Sequence, residues 1–181
     1  MLPKEIVFEG NIKNLKKLID LKGEHIIILT ETGYIPSKTI KYSDHEADAK
    51  IFSYDYLLNK TENKYQLYWK IQDFESNCEF DLMMGYLKNT FQITYLNKDG
   101  IAEIWIMYQK GCSSDVSPNE MKIIMHEGNK KFALRGIGLV DLGNFKEGGT
   151  YKLDDNFNNA SNEIKNFVVR SWKDNCKQKY E

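Results

Sequence analysis

The chain has 181 residues, 25 of them basic and 26 acidic, giving a formal charge of −1 at pH 7, and 13 % are aromatic. That length suits a single domain with a sizeable core, and the balanced charge excludes a strong overall field for nucleic acid. No apolar run reaches the roughly eighteen residues of a membrane-spanning helix.

Met1-Leu2-Pro3-Lys4 leads straight into Ile6-Val7-Phe8 without a secretory leader, so an exported form would have lost its leader ahead of Met1. Residues 11–25, NIKNLKKLIDLKGEH, predict a short helix. Asn11 suits an N-cap, Ile12, Leu15, Leu18 and Ile19 share one helical face, and Gly23 can close the C-terminus. HIIILTETGYI then reads as a β-branched strand ending near Gly33. AKIFSYDYLL and KYQLYWKIQDF predict two more strands around the polar turn NKTENK. In the second, Tyr65, Leu67 and Trp69 alternate with Gln66, Tyr68 and Lys70.

From residue 90 onward TFQITYL and IAEIWIMY flank Asn97-Lys98-Asp99-Gly100, a hairpin in which Gly100 supplies the positive φ. EMKIIMH and KKFALRG flank a second hairpin at Glu127-Gly128-Asn129. Ser117-Pro118-Asn119-Glu120 has capping-box spacing and predicts one helical turn before that strand, with a full helix across EMKIIMHEG as the competing reading. SNEIKNFVVRSWKDN closes the chain as a helix with Ile164, Phe167, Val168 and Trp172 on one stripe. These elements predict one α+β domain over residues 1–181. It is predominantly an antiparallel β meander of about seven strands with a short N-terminal and a C-terminal helix.

The residues that could carry chemistry each have a plainer use. Tyr95, Asn97, Asp99, Gly100 and Glu103 approach the alternate spacing of a calcium loop. Tyr95 offers neither a carboxylate nor an amide oxygen, so Asn97, Asp99 and Glu103 are weak metal candidates beside a plain turn. Ser113, Ser114 and Ser117 lie near Asp115 and His126, but no nucleophile elbow surrounds them, and Asp115 and Ser117 suit a hydrogen-bonded turn. His25, His45 and His126 have unrelated spacings, and Asp73, Glu75, Glu79 and Asp81 read as solvated carboxylates on a loop rim. Gly136 and Gly138 lack the third glycine of a phosphate cradle. Of the 25 basic residues only Arg135 and Arg170 are arginine, which marks Arg135 for a two-pronged carboxylate contact or an internal ion pair. No residue is assigned a catalytic role, and no cofactor is expected.

Cys78 precedes the central hairpin and Cys112 follows it. In a meander their ends approach, which predicts a disulfide closing a loop of about 34 residues and stabilising by about 3–4 kcal/mol. Cys176 is left as a spare thiol.

The block FQITYLNKDGIAEIWIMYQKGCSSDVSPNEMKIIMHEGNKKFALRG resembles the core of a family, found mainly in Bacteroidetes, known as surface polysaccharide biosynthesis proteins. The matching elements are Asp99 to Trp105, Tyr108, Cys112, Asp115 to Pro118, Met121 to Met125 and Ala133 to Gly136. Flanking matches at LTETG, the Trp69–Asp73 segment with Cys78, GGTYKLDDNF and Trp172 extend the resemblance over residues 25–175. Tyr95 and Asn97 depart from the family's aspartate-rich turn, which weakens an inherited cation site. The resemblance implies export and a polysaccharide context, and supplies no active-site residue.

Together these readings predict a non-enzymatic, exported binding or accessory protein of the periplasm or cell envelope. Its partner would be a glycan or a protein, with neither nucleic acid nor a membrane span involved. Asp115, Ser117, Arg135, Trp105 and Tyr108 are the expected binding residues. The alternatives are an immunity-type protein that neutralises a secreted toxin, and an enzyme of envelope sugar metabolism. A pocket holding two or more of Asp73, Asp81, Asp115 and Arg135 would favour that enzyme.

Overall fold

The structure is a computed structural model that describes residues 2–36 and 46–178. The backbone forms two compact units, Met1–Gly85 and Tyr86–Glu181. Thirteen strands are present among the described residues, more than the meander expected from the sequence, because several are only two or three residues long.

In the first unit the strands are β1 (Asn11–Ile19), β2 (Glu24–Glu31), β3 (Ile35–Pro36), β4 (Ala47–Asn59) and β5 (Lys64–Cys78). The sheet order is β1-β2-β4-β3, with β5 also on β4, and every pairing is antiparallel. Ile26, Ile27, Ile28 and Leu29 of β2 are all buried, so this strand is covered on both faces. Each such side chain contributes about 2 kcal/mol of transfer free energy. On one face Ile26 and Ile28 pack with Phe52, Tyr54 and Tyr56, and the N-terminal segment lies over them through Ile6. Tyr54 and Tyr56 anchor that segment by accepting from the Glu9 and Val7 amides at 3.1 and 3.3 Å.

The predicted N-terminal helix is a strand. Residues 11–19 form β1, an edge strand paired with β2. The apolar residues that suggested a helical face are largely solvent-facing, with Ile19 73 % exposed. A buried β2 offers a full ladder of backbone partners, and that pairing overrides a weak local helical preference. Lys13, Lys16 and Lys17 then sit along the edge, where charge discourages further strand addition. Gly23 closes a tight turn rather than a helix: Asp20 and Gly23 exchange backbone hydrogen bonds at 3.0 and 3.2 Å.

β6 (Asp81–Tyr86) runs across the division between the units in the sequence. The second unit holds β7 (Gln92–Thr94), β8 (Glu103–Ser113), β9 (Glu120–Glu127), β10 (Lys130–Ile137), β11 (Leu139–Asp141), β12 (Lys146–Gly148), β13 (Tyr151–Leu153), a 3-10 turn (Asp155–Asn159) and helix α1 (Asn162–Asn175). Within this unit the strands run β13-β10-β9-β8, with β7 also on β8. Both predicted hairpins form. The first has a loop from Tyr95 to Ala102 with Gly100 at φ +83, and the second turns at Gly128 with φ +58. The competing helix across EMKIIMHEG is absent, because Met121, Ile123 and Met125 alternate inward along β9. Residues 117–119 make no helical turn either, since Asp115 takes both the Ser117 amide and its hydroxyl.

The C-terminal helix forms as expected, capped by Ser161, whose side chain accepts from the Ile164 amide at 3.3 Å. Its Ile164, Val168 and Trp172 cover Trp105, Met107, Met121, Ile123, Met125, Phe132 and Leu134 of the sheet. The predicted disulfide is present: Cys78 and Cys112 are bonded and Cys176 is the free thiol.

Candidate functional site

Helix α1 takes one face of the second sheet, so alternation along each strand sends the intervening side chains to the opposite face. There Arg135 on β10 lies directly across from Lys122 on β9 and Lys152 on β13. The result is a row of cations across adjacent strands, which lie about 4.8 Å apart. One step along, Ile137 pairs with Glu120, and the Ile137 amide donates to the Thr150 carbonyl at 2.9 Å. These residues, with Gly136 and Tyr151, line an open, shallow cavity of about 500 Å³.

The Arg135-Gly136 pair explains how this surface coexists with a closed core. Arg135 projects outward, whereas a Cβ at position 136 would lie 2.2 Å from the Thr150 carbonyl oxygen and 2.5 Å from the Trp172 ring. Glycine therefore lets β13 and the helix close on the inner face. Trp172 adds a hydrogen bond from its Nε1 to the Gly149 carbonyl at 3.1 Å.

Charge at the site is one-sided. Glu120 faces Lys110, whose Nζ is 4.0 Å from its carboxylate. The Lys122 ammonium lies 5.9 Å over the Tyr108 ring. Arg135 and Lys152 are exposed, and no hydrogen bond or ion pair engages either among the described residues. The internal ion pair considered for Arg135 is therefore not formed there. An exposed guanidinium with free donors is matched to carboxylate or phosphate oxygens.

The other expected binding residues are dispersed. Trp105 is 2 % exposed and belongs to the core: its ring lies 4.6 Å from Phe167 and its Nε1 donates to Thr94 Oγ1 at 2.8 Å. Tyr108 is 3 % exposed, with Tyr86 edge-on at 6.4 Å, so it supports Lys122 and presents no surface of its own. Asp115 and Ser117 hold their own turn, with Ser113 Oγ donating to the Asp115 carboxylate at 2.6 Å and the Ser117 amide at 3.0 Å. Hydrogen bonds from Ser113 and Ser117 keep the Asp115 carboxyl below its usual range. None of Asp73, Asp81 and Asp115 lines the Arg135 cavity, so the gathering that would favour a sugar-metabolising enzyme is not made there.

The weak cation loop is spent on its own backbone. Buried Glu103 accepts from Thr94 Oγ1 at 2.7 Å and from the Leu96 and Asn97 amides at 2.9 and 3.2 Å. Asp99 accepts from the Ile101 amide at 2.8 Å, and Asn97 donates to Glu127. Burial, with Asp99 nearby, pushes the Glu127 carboxyl upward. Among the described residues no group of His, Cys, Asp or Glu has the geometry of a metal site.

A further polar cluster, which spacing alone did not reveal, lies inside the first unit. His25 Nδ1 is 2.9 Å from Asp55 and its Nε2 is 3.2 Å from Asp20, with all three side chains buried. Burial alone would depress this imidazole, but the two carboxylates outweigh it and hold His25 above its ordinary value. Burial likewise raises the Asp55 carboxyl, partly offset by His25. Tyr68, an extra residue in a bulge of β5, places its ring 6.0 Å from His25. Asp20 also accepts from the Lys22 and Gly23 amides, which ties the cluster to the β1–β2 turn. His45 lies outside the described residues.

Lys122, Lys152, Glu120 and Thr150 were not singled out from the sequence. Their signal is pairwise: once GGTYKL pairs antiparallel with ALRG, Lys152 must face Arg135. Comparison with family models, with curated proteins and with solved structures finds no match to this chain. The function must therefore be read from the site.

Proposed function

We propose that this chain is a non-enzymatic, exported binding or accessory protein of the bacterial envelope, which engages a glycan or protein partner through the basic face of β9, β10 and β13. The observation that carries this reading is Arg135, exposed and unpartnered among the described residues, in a row with Lys122 and Lys152 over an open cavity. Two further features support it. The Cys78–Cys112 bond suits an oxidising compartment outside the cytoplasm. The resemblance of residues 25–175 to surface polysaccharide proteins supports an envelope role.

The test is a binding screen of the purified protein against isolated bacterial surface glycans, with each glycan analysed for cleavage after incubation. Saturable binding with unchanged glycan is the expected result. Turnover of any of them would replace this reading with an enzymatic one.

A second reading, an immunity-type protein that occludes a secreted toxin, is favoured by the exposed apolar residues Ile12, Ile19 and Leu21 along and beyond edge strand β1. Stable one-to-one co-purification with a toxin encoded beside this gene would establish it in place of the first.

A further inference from the structure

We propose that the row Lys122–Arg135–Lys152 binds an acidic glycan, a linear polymer carrying a carboxylate on successive sugars, with Arg135 making the central two-pronged contact. This rests on the binding reading above and narrows the partner to one chemical class.

Two features favour that class. The first is local sign. The chain as a whole carries −1, yet Lys122, Arg135 and Lys152 all line this cavity, and Glu120, which lines it too, has its carboxylate 4.0 Å from Lys110. The second is shape and composition. The cavity is open, so a chain can lie across it, and Ile137 and Thr150 beside the cations offer an apolar strip and a hydroxyl to the face of a sugar ring.

The experiment is calorimetric titration of the intact protein with oligogalacturonate and oligomannuronate, their methyl esters, a polyglutamate peptide and single-stranded DNA. Binding of at least one free-acid oligosaccharide is expected, with the esters weaker by about tenfold or more, the size of one lost charge-assisted contact. Arg135→Ala and Lys152→Ala should each weaken it by about tenfold. Arg135→Lys should recover part of that loss, because it keeps the charge and loses the fork. Both side chains are exposed, so the thermal midpoints of these variants should match the parent protein. Lys60→Ala, in the turn between β4 and β5, should bind like the parent.

Equal or tighter binding of polyglutamate or DNA would overturn the glycan assignment, as would full affinity in Arg135→Ala. A neutral glycan bound without regard to Arg135 would also overturn it, yet leave the wider binding reading standing. Failure of every acidic oligosaccharide removes this inference, and the glycan screen above then decides the wider one separately.

Discussion

His126 sits on β9 between Ile104 of β8 and Lys131 of β10, and it is buried. Burial, with the Lys131 charge adding to it, pushes its imidazole down from 6.5 to about 4. A group whose folded value lies below its unfolded value contributes stability that is complete above pH 6.5 and is lost as pH falls toward 4. At about 1.4 kcal/mol per decade of proton affinity, the gap from 6.5 to about 4 caps the effect at about 3–4 kcal/mol. Integrating from about pH 7 to about pH 4 leaves about 3 kcal/mol lost through this residue. The perturbation is His126→Leu, which removes the titration and keeps an apolar side chain in place. The assay is urea unfolding at about pH 7, 6, 5 and 4, followed through the second unit's Trp105 and Trp172. Carboxylates also destabilise the parent in acid, so the informative quantity is the difference between the two pH profiles. The variant should lose about 3 kcal/mol less than the parent over that span. Parallel profiles, or a His126 proton resonance titrating near 6.5, would refute the reasoning.

His25 has the opposite sign. Its raised value gives a contribution complete below 6.5 and lost as pH rises through the folded value, and the raised Asp55 acts in the same direction; His25→Gln should flatten the alkaline limb of the first unit's unfolding profile, and an unchanged limb would count against the cluster. Reducing the Cys78–Cys112 bond, or replacing both residues by alanine, should cost about 3–4 kcal/mol in urea unfolding, and a loss below about 1 kcal/mol would show that the bond does not restrain the unfolded chain as loop closure requires. Gly136→Ala must displace the Thr150 carbonyl and the Trp172 ring, at about 1–3 kcal/mol; because that shift moves Lys152 away from Arg135, it should weaken acidic-glycan binding without changing any charge, and a variant as stable as the parent would contradict the close approach.

Long strands were legible because their signals are local. β2, β4, β5, β8, β9 and β10 each carry alternation or a buried β-branched run, and the closing helix carries a cap and a stripe. β1 was misread because Ile12, Leu15, Leu18 and Ile19 fit a helical period by chance, while the decisive partner, β2, lies beyond the turn. The Asp20–Gly23 turn was the available correction, since aspartate and glycine bracket a tight turn there. Among site residues Arg135 stood out by rarity, and it is the one that the structure leaves exposed and unengaged among the described residues. Trp105 and Tyr108 looked like contact residues because aromatic side chains serve both cores and interfaces, and only the sheet's packing separates those uses. Lys122 and Lys152 were silent because lysine is common here, and only register makes a row of them.

A chain of nearly balanced charge can display a cationic row only if its acids are occupied elsewhere, and the structure shows where several of them go. Glu103 is buried beneath the 94–97 segment and Asp55 beneath His25. Asp154 accepts from the Ala133 amide at 2.9 Å, just two residues from Arg135. Asp141 is shared by Lys146 and Lys177 at 3.3 and 3.1 Å. Asp115 is satisfied by the serines of its own turn. These carboxylates act as turn and strand fasteners by accepting hydrogen bonds, which the donor-only side chains of lysine and arginine cannot do. Their charge is spent on backbone amides and local partners, whereas long basic side chains extend from strand faces into solvent. The net charge of −1 therefore hides a division of labour: these acids fasten turns and strands, while Arg135 and Lys152 stand exposed on this face.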